Sequence, residues 1–384
     1  MKVAVLGYGT VGAGVYSMLS NAPGMEAGPV LVRPGKAVEN FMVSDAALIF
    51  GDPTVDAVVE TLGGLDPAYS YGMRALEAGK HFITANKAMV AAHGLELAAL
   101  AREKGAAFLF SAACGGGVPF LHNLALSAET DRIEAVSGIL NGTTNYMLDA
   151  MQRRSLSYGD ALREAQSLGY AESDPTADVS GLDALRKMQL ACAVAFGVLP
   201  QSGMLCEGME HFTAADVEDI QSRGLVCRLM ARGSRAGESV SAYVEPVLFP
   251  RAAPESSVFT NNNMASYTGK RCGSIVLMGQ GAGRFPTASA VLRDLSAAQQ
   301  GARSMFPENC RAAEADNREA VHSYYIRTGG FAAVRLPLRS VLAQGEVVRA
   351  VTEPMSAEKM HALAQNIRKD GNDLFFAALE EKLC

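Results

Sequence analysis

The apolar pattern of the first hundred residues alternates between two periods. Lys2-Val-Ala-Val-Leu6 is a short β-prone run that stops at Gly7-Tyr-Gly9-Thr-Val-Gly12, and beyond it Val11, Val15, Met18 and Leu19 recur at helical spacing. A second apolar run, Pro29-Val-Leu-Val-Arg33, predicts another strand, and Asp56-Ala-Val-Val-Glu60 a third that ends in the pair Gly63-Gly64. The pattern continues with a helix over 69–78, a strand over 81–85, a helix over 95–104 stopped by Gly105, and a strand over 107–110. This β-α order predicts an α/β fold with a Rossmann-type, doubly wound parallel sheet, which holds ligands beyond the C-terminal ends of its strands. Asn86-Lys87 sits at such an end.

The pattern then changes. Ser111-Ala-Ala-Cys-Gly-Gly-Gly117-Val-Pro119 is a glycine-rich junction, and the first domain boundary is expected near it. Downstream come a strand ending in Ile139-Leu-Asn-Gly142, a helix over 213–224, a strand over 227–231, and paired strands within 241–249 and 257–263, an α+β arrangement. The tail reads as strand 322–327, helix 336–342, strand 347–351, helix 357–369 and strand 374–378. No repeat, charge block or low-complexity run interrupts the chain.

Composition narrows the classes. With 384 residues, 49% apolar and 19% charged, the chain is globular and large enough for two or three domains. Lys and Arg number 34 against 40 Asp and Glu; this acidic balance, with its bases scattered, argues against a nucleic-acid partner. Seven dispersed cysteines without a CxxC, and six histidines without paired spacing, point to a reducing, cytoplasmic setting and to no protein-built metal site. Residues 3–25 carry no charge, yet five glycines, Asn21 and Pro23 make them neither a signal peptide nor a membrane span.

The glycine motif is the first candidate site. Gly7 suits the tight turn, Gly9 close approach of a pyrophosphate, and Gly12 close helix–strand packing, while the helix start supplies amide donors. The competing reading is a plain glycine turn. Where NAD enzymes carry an acid after the second strand, this chain has Arg33, with Lys36 nearby. A guanidinium attracts a 2′-phosphate, so NADP(H) is the preferred cofactor and NAD(H) the alternative, unless Arg33 is an ordinary surface cation.

Two stretches of the middle region carry further chemistry. Asn141-Gly142-Thr143-Thr144 reads as a helix start, with either threonine suited to cap it; capping and carboxylate binding explain it equally. In Tyr170-Ala-Glu172-Ser-Asp174-Pro, with Asp178, Asp183 and Lys187 following, acids crowd a loop that enters a helix. Asp183 and Lys187 share a helix face, which alone would be a weak solvated pair. The helix beyond them is apolar nearly all round, so a charge pair entering it needs partners, and such pairs mark sites.

Here the residues carry a family resemblance. Gly7-Tyr-Gly-Thr-Val-Gly12, Thr84-Ala-Asn-Lys87, Gly115-Gly-Gly-Val-Pro119, Asn141-Gly-Thr-Thr-Asn-Tyr146, the run Gly169 to Lys187, and Gly281-Ala-Gly283-Arg-Phe-Pro-Thr287 occur in order. Together they resemble homoserine dehydrogenase, which interconverts L-homoserine and L-aspartate 4-semialdehyde with NAD(P). The resemblance implies a dinucleotide-binding domain over 1–112 with a returning segment near 281–310. It implies a substrate-binding and dimerisation domain over 113–280, and a reduced ACT-like module over 318–384, one strand short of βαββαβ. It implies that Gly7, Gly9, Thr10, Val11, Gly12, Arg33, Gly63, Lys87, Gly283 and Thr287 hold the cofactor. Gly142, Thr143, Tyr170, Glu172 and Asp178 would hold the amino-acid substrate, and Lys87 and Lys187 would serve the reacting oxygen, with Asp183 orienting Lys187. The family's monovalent cation would lack its acid here, since Ser111 occupies that position. A homodimer is implied as well. The alternatives are a related semialdehyde or amino-acid dehydrogenase and a non-catalytic nucleotide sensor.

Overall fold

The computed structural model describes residues 1–380. The chain divides into two compact units. The first comprises residues 1–133, 189–199 and 279–311. Its elements are β1 (Lys2–Leu6), α1 (Thr10–Leu19), β2 (Glu26–Leu31), β3 (Met42–Val43), α2 (Ala47–Phe50), β4 (Ala57–Glu60), α3 (Ala68–Glu77), β5 (His81–Thr84), α4 (Lys87–Lys104) and β6 (Phe108–Leu109). The six strands form one sheet in the order β3-β2-β1-β4-β5-β6, and every pair is parallel. This is the doubly wound order, whose switch point lies between β1 and β4. Val3 to Leu6 and Ala57 to Val59 are wholly buried, as strands covered on both faces must be.

Two elements differ from the reading of the sequence. Helix α4 starts at Lys87, eight residues before the predicted 95, because Asn86 caps it by accepting from Met89 N. Gly94 weakens the helical pattern there, but its bare Cα lets Phe306 approach: a Cβ would lie 2.9 Å from that ring. The first unit also extends beyond 112, since the helix Phe120–Thr130 buries Phe120, Leu121 and Leu124. The returning helix Arg284–Gln299 packs on α1, where a Cβ on Gly14 would sit 2.8 Å from the Arg284 carbonyl.

The second unit comprises residues 134–188, 200–278 and 312–384. Its centre is a long antiparallel hairpin, Leu225–Ala236 with Ser239–Pro250, turned at Gly237 with φ +60°. Both strands run past the predicted 227–231 and 241–249. Arg228, 2% exposed, donates to the carbonyls of Cys227, Glu255 and Ser256.

The tail completes this sheet. Leu374–Leu379 pairs in parallel with the hairpin and antiparallel with Tyr324–Gly329; Val347–Thr352 and Leu338–Ala343 follow outward. The expected helix over 336–342 is therefore a strand, and the helix is the short Gly330–Ala333. The full βαββαβ order is present, with no strand missing. The spacing of Leu338, Val341 and Leu342 suits either period, and the antiparallel partner beyond Gly345 decides it.

Candidate functional site

Two sites emerge, one in each unit. In the first, a cavity of about 1130 Å³ opens at the C-terminal ends of β1 and β4. Gly7, Tyr8, Gly9, Arg33, Lys36 and Gly63 are among the residues that line it. Gly7 has φ +99°, a backbone state only glycine adopts freely. A Cβ on Gly12 would fall 2.1 Å from the Gly7 carbonyl, so α1 can close on the strand only with glycine there. A Cβ on Gly9 would meet nothing within 4 Å, and Gly9 caps α1 without a side chain. The amides of Thr10, Val11 and Gly12 thus start a helix that no side chain caps, open to an anion. These features fit a dinucleotide.

Arg33 is exposed on the rim beside Lys36. Glu39, absent from the sequence reading, lines the same cavity. Gly283 caps the returning helix with φ +118°, and Thr287, 8% exposed, donates its amide to the Gly283 carbonyl. Lys87, half-buried, is the first residue of α4.

The second unit assembles side chains. The helix Gly142–Arg154 is capped by Asn141, whose Oδ1 accepts from Thr144 N at 2.8 Å. The cap is therefore Asn141 and not a threonine. Its Nδ2 donates to Asp178 Oδ1 at 2.7 Å and to Asp183 Oδ2 at 2.9 Å. Lys187 Nζ lies 2.7 Å from that Asp183 oxygen and donates to the Leu140 carbonyl at 2.6 Å. Thr143 Oγ1 donates to the Tyr170 carbonyl at 2.5 Å and lies 3.2 Å from Asp178 Oδ2. Burial raises the Asp178 carboxyl above its ordinary value against the Asn141 bond, and neighbouring Asp183 adds to the rise. Gly142 sits where a Cβ would meet the Asn261 carbonyl at 2.8 Å.

Asp183 and Lys187 side chains are only 12% and 11% exposed. The weak solvated reading of this pair fails for that reason: each partner needs the other and the asparagine. Tyr170 packs its ring against Tyr146 at 5.1 Å. Glu172 is exposed on the loop, where its carbonyl accepts from Gln166 Nε2. Asp174 has a local job, accepting from the Thr176 amide and hydroxyl.

Family models described as "Homoserine dehydrogenase, NAD binding domain" and "Homoserine dehydrogenase" match residues 7–111 and 119–296. The chain belongs to the homoserine dehydrogenase family. A homoserine dehydrogenase of Corynebacterium glutamicum is 38% identical over 314 residues, covering 76% of this chain and 70% of that one. One from Bacillus subtilis is 34% identical over 319 residues, covering 79% and 74%. The crystal structure of a homoserine dehydrogenase from Thiobacillus denitrificans superposes with a TM-score of 0.87 at 29% identity, covering 99% of this chain and 98% of that one. The chain is thus an oxidoreductase with an NAD(P)-binding domain.

Ser111 spends its amide and hydroxyl on Asp294, at 2.8 and 2.6 Å. Burial pushes that carboxyl up to about 7. Among the described residues no group of three or more His, Cys, Asp or Glu gathers to hold a metal, and no helix is long and apolar enough to cross a membrane. Reasoning from sequence passed over Asn141 as a site residue, although its position three before Thr144 is a capping signal.

Proposed function

We propose that this homoserine dehydrogenase family member catalyses reversible oxidation of L-homoserine to L-aspartate 4-semialdehyde, and that NADP(H) is its preferred coenzyme. The observation that carries this reading is the closed network Leu140–Lys187–Asp183–Asn141–Asp178. A bound nicotinamide dinucleotide supplies or accepts the hydride.

The chain's own groups do the rest. Asp178, with Thr143 and the amide of Gly142, receives the ammonium and carboxylate of the amino acid; Tyr170 and Glu172 complete that end from the loop. When the aldehyde is reduced, negative charge grows on its oxygen, and an ammonium beside it stabilises that charge and donates the proton. Lys187 is held for this by Asp183 on one side and the Leu140 carbonyl on the other. Lys87 is the second ammonium assigned to the same oxygen. The phosphates are assigned to the helix start at Thr10–Gly12 and to Gly63, Gly283 and Thr287, and the 2′-phosphate to Arg33.

Coenzyme absorbance, followed with aspartate 4-semialdehyde and NADPH and in reverse with homoserine and NADP⁺, tests the reading. Turnover in both directions is expected, lost when Lys87→Ala and Lys187→Ala are made; near-normal kcat in both variants would sink the assignment. Two further expectations are a homodimer, checked by sedimentation, and activity that changes little when sodium or potassium is added.

A further inference from the structure

Glu60 is wholly buried at the last position of β4, beside the dinucleotide cavity. A carboxylate in that place is costly unless donors surround it, and the chain provides them. Oε1 accepts from the amides of Leu62 at 2.6 Å and Gly63 at 3.2 Å. Oε2 accepts from the Thr84 hydroxyl at 2.5 Å. Thr84 Oγ1 in turn accepts from the Asn86 amide at 2.9 Å, and Asn86 Nδ2 donates to the Gly64 carbonyl at 2.6 Å. The bonds close into a ring that runs from Glu60 through the 62–64 loop to Asn86, and back through Thr84.

Both arms of this ring end on functional ground. Thr61, Leu62 and Gly63 line the cavity. Asn86 caps α4 through Met89 N, and the next residue is Lys87. A strand end that needed only filling would be served by an apolar side chain, as Val58 and Val59 are before it. A carboxylate is the one side chain that accepts from two loop amides and a hydroxyl at once.

We propose that Glu60 is a positioning residue: one oxygen sets the 62–64 loop for the dinucleotide, and the other, through Thr84 and Asn86, sets the helix start that carries Lys87. The proposal rests on the roles given above to the cavity and to Lys87.

Thr84→Val keeps the shape and removes the hydroxyl. It is expected to lower kcat by about tenfold or more while the KM for NADPH stays within about twofold, since small displacements of a reacting group are costly. Thr84→Ser restores the hydroxyl and kcat, which a purely space-filling role for the side chain would not require. Glu60→Gln keeps acceptance from the loop and reverses the second contact, its Nε2 donating to Thr84 Oγ1, which still accepts from the Asn86 amide, so kcat is expected to fall less than in Thr84→Val. Glu60→Ala releases both arms and in addition weakens NADPH binding about tenfold, read by fluorescence titration of the whole enzyme. If Glu60→Ala does not fold by circular dichroism, the two threonine variants and Glu60→Gln carry the test. Wild-type kcat in Thr84→Val, with Lys87→Ala inactive, overturns the proposal alone. Wild-type kcat in Lys87→Ala overturns it together with the role of that lysine.

Discussion

The two sites of this protein are built from opposite materials. The dinucleotide cavity is shaped by what is missing: Gly9 has open space around it, Gly12 has no room for a Cβ, and Gly7 has a backbone few residues can adopt. The acid–lysine cluster is shaped by what is present. Asn141, Asp178, Asp183 and Lys187 hold one another, each answering a charge or donor that burial would otherwise strand. The first site therefore tolerates change where space is free and fails where backbone approaches backbone. The second would couple chemistry to stability, because the groups proposed as catalytic also hold one another in the buried cluster.

The largest effect expected from this contrast is at Lys187. On the proposed mechanism, Lys187→Ala removes charge stabilisation at the reacting oxygen, and it takes away the cation 2.7 Å from the buried Asp183 carboxylate. A loss of about 10²–10³-fold in kcat is expected, together with about 3–5 kcal/mol of stability measured by urea unfolding. A variant that loses activity at full stability would separate what the cluster is said to combine.

Next come two glycines that look alike in sequence. Gly12→Ala must push its Cβ into the Gly7 carbonyl, costing about 1–3 kcal/mol in unfolding free energy as well as coenzyme affinity. Gly9→Ala meets nothing in the free protein, so its melting temperature should match wild type while NADPH affinity drops. Equal stability losses in both would break the account of the cavity.

Asp294 adds a buried carboxylate to the first unit and makes the contrast testable with pH. Its carboxyl, ordinarily at 3.8, is pushed up to about 7 by burial. The folded chain then binds more protons than the unfolded chain between those values, so this group's contribution to stability falls as pH rises across that window. Asp294→Asn, still able to accept from Ser111, should flatten the decline of melting temperature between pH 5 and pH 7. An unchanged slope would assign that decline to other groups.

The smallest effect belongs to Arg33. It is exposed, so Arg33→Ala should leave stability alone and lower the preference for NADPH over NADH by roughly tenfold, about 1.4 kcal/mol. A ratio that does not move would shift attention to Lys36, or to Glu39, which shares the cavity and would repel a 2′-phosphate.

Much of the first unit was legible in the residues because its signals are local. A buried parallel strand, a glycine turn and a helix follow one another within twenty positions. In the second unit one signal is equally local: the Asp183–Lys187 spacing puts both groups on one helix face. Errors arose where a local pattern was ambiguous. Leu338–Ala343 carries apolar residues that suit a helix or a strand, and only its pairing with Val347–Thr352 decides. Thr143 and Thr144 are sound caps by type, but Asn141 reaches the Thr144 amide first. Glu60 looked like the polar end of an apolar strand; its donors come from Leu62, Gly63 and Thr84, the last on a neighbouring strand.

By itself the amino-acid order determined the alternation of strands and helices, the glycines that a phosphate-binding turn demands, and the family to which those motifs point. These follow from backbone sterics and side-chain periodicity, which act over a few residues. Only the tertiary structure decided which polar groups face each other: that Asn141 bridges two acids, that Ser111 is spent on Asp294, that Glu60 joins a loop to a helix start. Hydrogen bonds between residues far apart in the chain depend on where the packed core brings their backbones, and no stretch of sequence contains both ends of such a bond.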